Sequence, residues 1–514
     1  MLIHPDTFIR LIKNCPLDDT YHNTIYFNSV DDQTAYFRST LSGRNFFKQS
    51  YQRYASGVLQ VQASVDTLYD CNYLMFQNSA FGNKYFYAFV TSVEYVNNAT
   101  TRVNYKIDVL QTWFFDYTLA DCFVEREHPE TDGIGDNLVP EGLETGEFLT
   151  TQLDVDNCPF DGGDYHVIIV YGTEKTAVNG EYAAVVGNVF SGLDFIRCVT
   201  PSSAYAKLKE INDAGKSDAV VGVFMIPSMF WGGQSVVDFT ATTVIGNVSK
   251  GLDNLYNNTF NGYKPKNNKL YTGQFFGLIG TSSSGDEHRY PIEYFQNPTA
   301  PHFGLYFGLG ASPEAMLAPM DYKGTRANYN EELTCKDFPQ CAYATDSFKA
   351  YLAQNSGRLL AGAATTALST AVQAVSNPGG AALNAFNAVF NTLGTLHDIS
   401  VLPPKIRGAG ASYVNYTRNS VGFRFYLYNV TKEFAQIIDG YFDMFGYAVH
   451  RVKKPNRNSR PHWNYVKTSH CAIHGNAPSA DLSAIEQIYD NGVTFWKNGA
   501  EIGNYSLDNS PQEV

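Results

Sequence analysis

The chain has 514 residues, too many for one core, and a prior of ~150 residues per domain suggests about three. Its net charge of −13 argues against general affinity for nucleic acid or anionic lipid, although an acidic wall suits a conduit that must not grip DNA. Charged residues make up only 17%, below the ~25% of an ordinary soluble protein, so much of the surface is expected to be hidden against other subunits.

Tyr and Phe number 35 each, and aromatics favour strands and large contact areas. The expected class is therefore mainly β with short helices, a β-rich α+β protein that forms oligomers. The eight cysteines, at 15, 71, 122, 158, 198, 335, 341 and 471, form no C-x-x-C pair and no zinc-site spacing. Buried thiols in a protein made in a reducing cytoplasm are expected, with no cofactor and no metal. The Met-Leu-Ile-His-Pro start shows no secretory signal pattern.

Along the chain, residues 1–125 read as strands with two short helices. Lys84–Val90 and Arg102–Val109 are strand-like. Val30, Tyr36, Phe37 and Leu41 fit a one-sided helix that Ser29 or Asp31 would cap. Residues 126–345 carry Gly, Asn, Ser and Pro between short β runs, which suggests an inserted middle β domain with long loops. Val167–Tyr171 and Val220–Ile226 look like fully buried strands.

From 346 to 404 the character changes. Not one Asp, Glu, Lys or Arg occurs between Leu359 and Leu396. Pro378, Gly379 and Gly380 break the run and favour a reversal, so a helical hairpin is expected. Its first arm, to Ser376, sets Leu360, Leu368, Val372 and Val375 against Thr365, Thr366, Ser369, Thr370 and Gln373. The second sets Leu383, Phe386, Val389, Phe390 and Leu393 against Asn384, Asn387 and Asn391. Each arm would be about 25–27 Å long, slightly short of a ~30 Å bilayer core. The candidate membrane-inserting set is Leu359, Leu360, Leu368, Val372, Val375, Leu383, Phe386, Val389, Phe390, Leu393 and Leu396. The alternative is a soluble hairpin packed between subunits.

Residues 405–514 return to β structure at Phe423–Val430. Phe434, Ile437, Ile438, Tyr441, Phe442 and Phe445 then follow helical spacing. A second helix is expected over Asp481–Tyr489, capped by Ser479 and stopped at Asn491-Gly492. One basic cluster holds His450, Arg451, Lys453, Lys454, Arg457, Arg460 and His462. It could meet DNA phosphates in a channel or acids on a neighbouring subunit.

No phosphate loop, nucleophile elbow, HExxH or paired-carboxylate signature occurs. Gly285–Arg289 reads as a solvated loop, and Glu125–His128 as a structural ion pair or subunit contact. Trp113, Trp463 and Trp496 are expected in cores or interfaces. The chain is not expected to be an enzyme, though a cell-wall glycosidase in the middle region is kept as a remote alternative.

Several stretches resemble the tail knob, or distal tail tube, protein of the small protein-primed short-tailed phages of Gram-positive bacteria (Picovirinae and Salasmaviridae type podophages). Near the front these are Met75–Asn78, Gly82–Val90, Ile107–Trp113 and Arg126–His128. Near the end they are Gly446-Tyr447, Arg451–Asn456, Asn464–Val466, Asp490–Thr494 and Ile502–Ser506. They follow the family's order and cover roughly the first and last quarters, with no matching stretch between about 150 and 345.

The resemblance implies a homohexamer whose tail-tube-like β-barrel wall comes from the N-terminal (1–125) and C-terminal (405–514) segments. The middle domain would lie outside as the outer knob. Implied partners are the lower collar or tail tube, other tail proteins, phage DNA passing through and the lipid of the host cytoplasmic membrane. The apolar hairpins (346–404) would plug the tube and then enter that membrane. The implied place is the virion tail tip. A structural and host-binding knob without membrane activity is the alternative.

Overall fold

The computed structural model describes residues 7–48, 57–78, 82–160, 165–172, 181–186, 189–214, 216, 219–230, 244–253, 255, 259–310, 312–340 and 420–511. The expected hairpin, from Leu359 to Leu396 with its Pro378–Gly380 turn, lies outside the described residues. The described structure is mainly β with short helices, as its aromatic content led one to expect. Two compact units are present. The first comprises Met1–Thr145, Tyr263–Leu270 and Lys432–Val514, and the second Gly146–Gly262 and Tyr271–Thr431.

In the first unit a six-stranded antiparallel sheet runs in the order Gly43–Phe47, Thr7–Lys13, Cys71–Asn78, Tyr85–Asn97, Thr100–Ile107 and Val58–Val61. Successive residues alternate between its faces. Ile9, Leu11, Leu74 and Phe76 enter one apolar cluster, while Ile12, Tyr73, Met75 and Tyr87 enter another. Both faces are covered, which is why Tyr73–Phe76 within the strand Cys71–Asn78 reads as an unbroken apolar run. The expected Lys84–Val90 strand extends to Asn97, and Arg102–Val109 is found as Thr100–Ile107.

The helix after Ser29 spans Val30–Ala35, and the Ser29 hydroxyl caps it by accepting from the Asp32 N–H at 3.1 Å. One wider π-type turn, Tyr36–Thr40, then places Phe37 fully inside. Val30 is exposed, because the first helical residue points away from the core.

A five-stranded sheet in the same unit is ordered Asn23–Ile25, Val493–Trp496, Trp463–Ser469, Cys122–Glu127 and Tyr447–Lys453. Its first pairing is parallel, so the two ends of the sequence share one sheet. Lys432–Phe445 is helical and buries Ala435, Ile438, Asp439 and Phe442, positions i, i+3, i+4 and i+7. Of the six apolar residues expected on one stripe, Ile437 instead faces solvent at 67% exposure.

The second predicted helix is found over Ser479–Asn491. Pro478, not Ser479, holds its cap position, because Pro fits where no intrahelical N–H is required. Gly492, at φ 92°, ends it as expected. Trp463 and Trp496 are both core residues.

The second unit contains three sheets. One is ordered Phe148–Leu153, Phe423–Val430, Phe276–Ser282 and Glu287–Tyr290. Another is ordered Glu181–Val186, Val189–Cys198, Tyr165–Gly172 and Val220–Pro227. The third is ordered Val244–Val248, Phe303–Leu309, Pro313–Tyr322 and Thr325–Ala327. Of the two runs read as buried strands, Val167–Tyr171 lies inside its sheet and is buried throughout, whereas Val220–Ile226 falls in the strand at the sheet's edge and is buried except at Val221, which is 39% exposed.

Gly285–Arg289 is not a loose loop. Gly285, at φ 100°, turns a hairpin between Phe276–Ser282 and Glu287–Tyr290. The Asp286 carboxylate accepts from the Thr334 N–H at 2.9 Å and the Thr334 hydroxyl at 2.5 Å. Acid and imidazole are spent on a turn and a strand.

Candidate functional site

The strand Cys122–Glu127 and the following His128 form the polar centre of the first unit. Glu125 pairs with Lys467 at 2.7 Å and accepts from the Ser469 hydroxyl at 2.5 Å. Arg126 donates to the Gly446 carbonyl at 2.6 Å, lies over the Tyr441 ring at 4.8 Å and pairs with Glu141. The Glu141 side chain is fully buried and also pairs with Lys269, itself only 2% exposed. It further accepts from the Ala448 N–H at 2.8 Å. Burial lowers the Lys269 ammonium pKa, while the adjacent Glu141 opposes that shift.

The Tyr263–Leu270 segment is held by acids on other parts of the unit. Asp439 accepts from the Tyr263 hydroxyl at 2.5 Å and from the N–H groups of Lys266 and Asn267 at 2.8 and 3.0 Å. Asp132 accepts from the Asn268 N–H at 3.1 Å and the Tyr447 hydroxyl at 2.6 Å. Burial raises the carboxyl pKa of both Asp132 and Asp443.

His128 is 2% exposed, and its ring is locked. Nδ1 accepts from the Tyr465 N–H at 2.8 Å, so Nε2 carries the proton and donates to the Asp443 carbonyl at 3.0 Å. Burial, followed by the nearby Arg460 charge, pushes the imidazole down to about 3. Unfolded histidine binds a proton as pH falls through 6.5, whereas folded His128 resists until about 3. It therefore contributes stability above 6.5 that is lost on acidification across that window, at up to ~1.4 kcal/mol per pH unit.

Asp108 works in the opposite direction. Burial raises it from 3.8 to about 6, so acidification between those values favours the folded state. Urea unfolding at about pH 7 and about pH 4.5 should therefore show His128→Asn flattening the acid loss. Asp108→Asn should steepen it.

The basic cluster does not form one patch. Lys453 pairs with Glu127 of its own chain. Arg457 lies 5.5–5.8 Å from the Tyr26, Phe114 and Tyr117 rings and donates to the Tyr117 hydroxyl at 3.3 Å. Arg460 is 2% exposed and donates through Nη1 to the Asn509 carbonyl at 3.4 Å. His462 pairs with Glu501 at 2.8 Å.

Arg451 and Lys454 remain exposed, as does His450, which stacks on Phe123 at 6.2 Å. They lie on or just beyond the edge strand Tyr447–Lys453, next to Val452 at 68% exposure. A cleft of about 370 Å³ opens beside them, lined by Glu125, Arg126, Tyr441, Phe445, His450 and Lys467. In the cleft Glu125 pairs with Lys467 and Arg126 with Glu141, while Arg451 and Lys454 on the adjoining edge present exposed charge. Among the described residues, no group of three or more His, Cys, Asp or Glu could hold a metal ion.

A family model described as the C-terminal domain of tail knob protein gp9 of Bacillus phage phi29 matches residues 240–510, more than half of the chain. The chain belongs to this tail knob family. A second model, the caudoviral major tail protein N-terminus, matches residues 5–118. The tail knob protein gp9 of phage phi29 is 27% identical, with 98% of each chain covered. That of Bacillus phage B103 is 24% identical over the same shares.

The solved tail knob protein gp12 of bacteriophage C1 shares the fold, with a TM-score of 0.61 and 16% identity over 98% of this chain and 99% of that one. The similarity thus extends through the middle of the chain, where short sequence stretches offered no match. This is a structural protein of a phage tail.

Proposed function

We propose that six copies of this knob protein close into the distal tube at the tail tip and conduct DNA during ejection. In this reading the N-terminal (1–125) and C-terminal (405–514) segments supply the tube wall, and the middle domain (126–345) is the outer knob. The hairpins of 346–404 plug the mouth and then penetrate the host cytoplasmic membrane, making the path for DNA. The lower collar or tail tube and other tail proteins sit above it.

The observation that carries this reading is the stretch from Leu359 to Leu396 without a single charge, in a chain that bears −13 overall. An acidic surface lets DNA slide, and a charge-free hairpin can leave water without the ~2.5–3.5 kcal/mol cost of each central ion. Among the described residues no helix is long and apolar enough to cross a membrane, and 359–396 lies outside that set. Of the basic cluster, Arg451 and Lys454 are the residues placed to meet DNA phosphate or a neighbouring subunit. Arg457 and Arg460 act within their own chain.

Native mass spectrometry of the purified chain tests the assembly. A dominant species of six copies is expected, and a stable monomer or a ring of another number would contradict it.

A further inference from the structure

Seven cysteines lie in the described residues, all of them buried and free. Two of them lie on adjacent segments and in one apolar cluster: Cys122 opens the strand Cys122–Glu127, and Cys471 follows the strand Trp463–Ser469. The two strands pair antiparallel as far as Phe123 opposite Ser469. Pairing resumes where the Ala120 N–H donates to the Ala472 carbonyl at 2.9 Å.

Regular alternation would send Cys122 and Cys471 to opposite faces, because they are not directly opposed. His470, in the left-handed region at φ 54°, turns the chain between them. Both sulfurs then enter one apolar cluster, with Cys122 5% and Cys471 7% exposed. Strands ~4.8 Å apart and a one-residue offset of ~3.4 Å would put the two Cα atoms roughly 6 Å apart, inside the ~4.4–6.8 Å that a disulfide requires.

We infer that Cys122 and Cys471 are an oxidisable pair that closes to a disulfide when the protein meets an oxidising medium containing a low-molecular-weight disulfide. Cys122 loses its proton and attacks one sulfur of the small disulfide. That S–S bond breaks, and the departing thiolate takes up a proton. Cys471 then loses its proton and attacks the Cys122 sulfur of the mixed disulfide, releasing the second small thiol. Two protein thiols are oxidised, and one small disulfide is reduced to two thiols.

Burial holds Cys471 up at about 12 and raises Cys122 as well, so few thiolates exist at neutral pH and closure is slow. The bond would join the segment that precedes the second unit in sequence to the segment that follows it. A loop that long restricts the unfolded chain strongly. The inference stands independently of the tube reading.

The test is incubation of the purified full-length protein with oxidised glutathione, followed by acid quench, denaturation, alkylation and peptide mapping. Two fewer alkylatable thiols than the eight in the sequence are expected, with one linked peptide joining Cys122 to Cys471. A reductant-reversible rise in Tm of roughly 5 °C or more should accompany it. Cys122→Ser and Cys471→Ser should each remove the linked peptide. Eight alkylatable thiols at the end of the reaction, a glutathione adduct that never closes, or a bond between any other pair would overturn the inference.

Discussion

Leu368→Asp or Phe390→Asp in the full-length protein is expected to cut dye release from liposomes by at least tenfold. In the proposed hairpin each substitution would put a carboxylate on the apolar face of one arm. An acid at the centre of an inserted helix costs ~2.5–3.5 kcal/mol, a factor of roughly 70–300 in the insertion equilibrium. If the proposed six copies are delivered to one spot, the loss should compound. Leu368→Ile keeps the face apolar and should release dye like the wild type. If the two acidic variants leak as fast as the parent, the hairpin does not enter lipid and serves as a subunit contact or plug.

The second large effect is expected at Glu141. Its side chain is fully buried and bridges Lys269 and Arg126 while accepting from the Ala448 N–H. Glu141→Ala leaves a nearly buried ammonium and a guanidinium without their acid, which costs ~3–5 kcal/mol. A single domain holds only ~5–15 kcal/mol in reserve, so the urea midpoint should fall by roughly 1–2 M. Glu141→Leu combined with Lys269→Met removes both charges and should recover part of the loss. An unchanged midpoint in Glu141→Ala would show that the network adds nothing to stability.

Local structure was written plainly where one residue type decides it. Ser29 had a helix to cap, Gly492 had one to stop, and Val167–Tyr171 had too little polarity to face water. The polar centre was less legible. Asp439 reaches the segment Tyr263–Leu270 across more than 160 positions of sequence, and two of the four hydrogen bonds its carboxylate accepts come from backbone N–H groups, which no pattern advertises. Asn267 and Asn268 there look like ordinary loop residues until Asp132, Asp439 and Asp443 surround them.

The basic cluster misled for a related reason. Seven cations and imidazoles within 450–462 read as one patch. Pro455 and the turn after it carry Arg457 among aromatic rings and Arg460 into the core. Arg126, by contrast, fell inside a stretch read as a structural ion pair, and the structure finds that pair with Glu141. Entry of Cys122 and Cys471 into one apolar cluster accompanies a left-handed backbone at His470, a conformation that residue type alone does not announce.

The central proposal is a ring of six whose wall comes from the N- and C-terminal segments and whose charge-free hairpins await lipid. Electron cryomicroscopy of the purified assembly tests it most directly. A closed sixfold ring is expected, with an axial channel bounded by segments 1–125 and 405–514 and density for residues 359–396 at the channel mouth. Density for those residues packed inside each subunit, away from any symmetry axis, would contradict it.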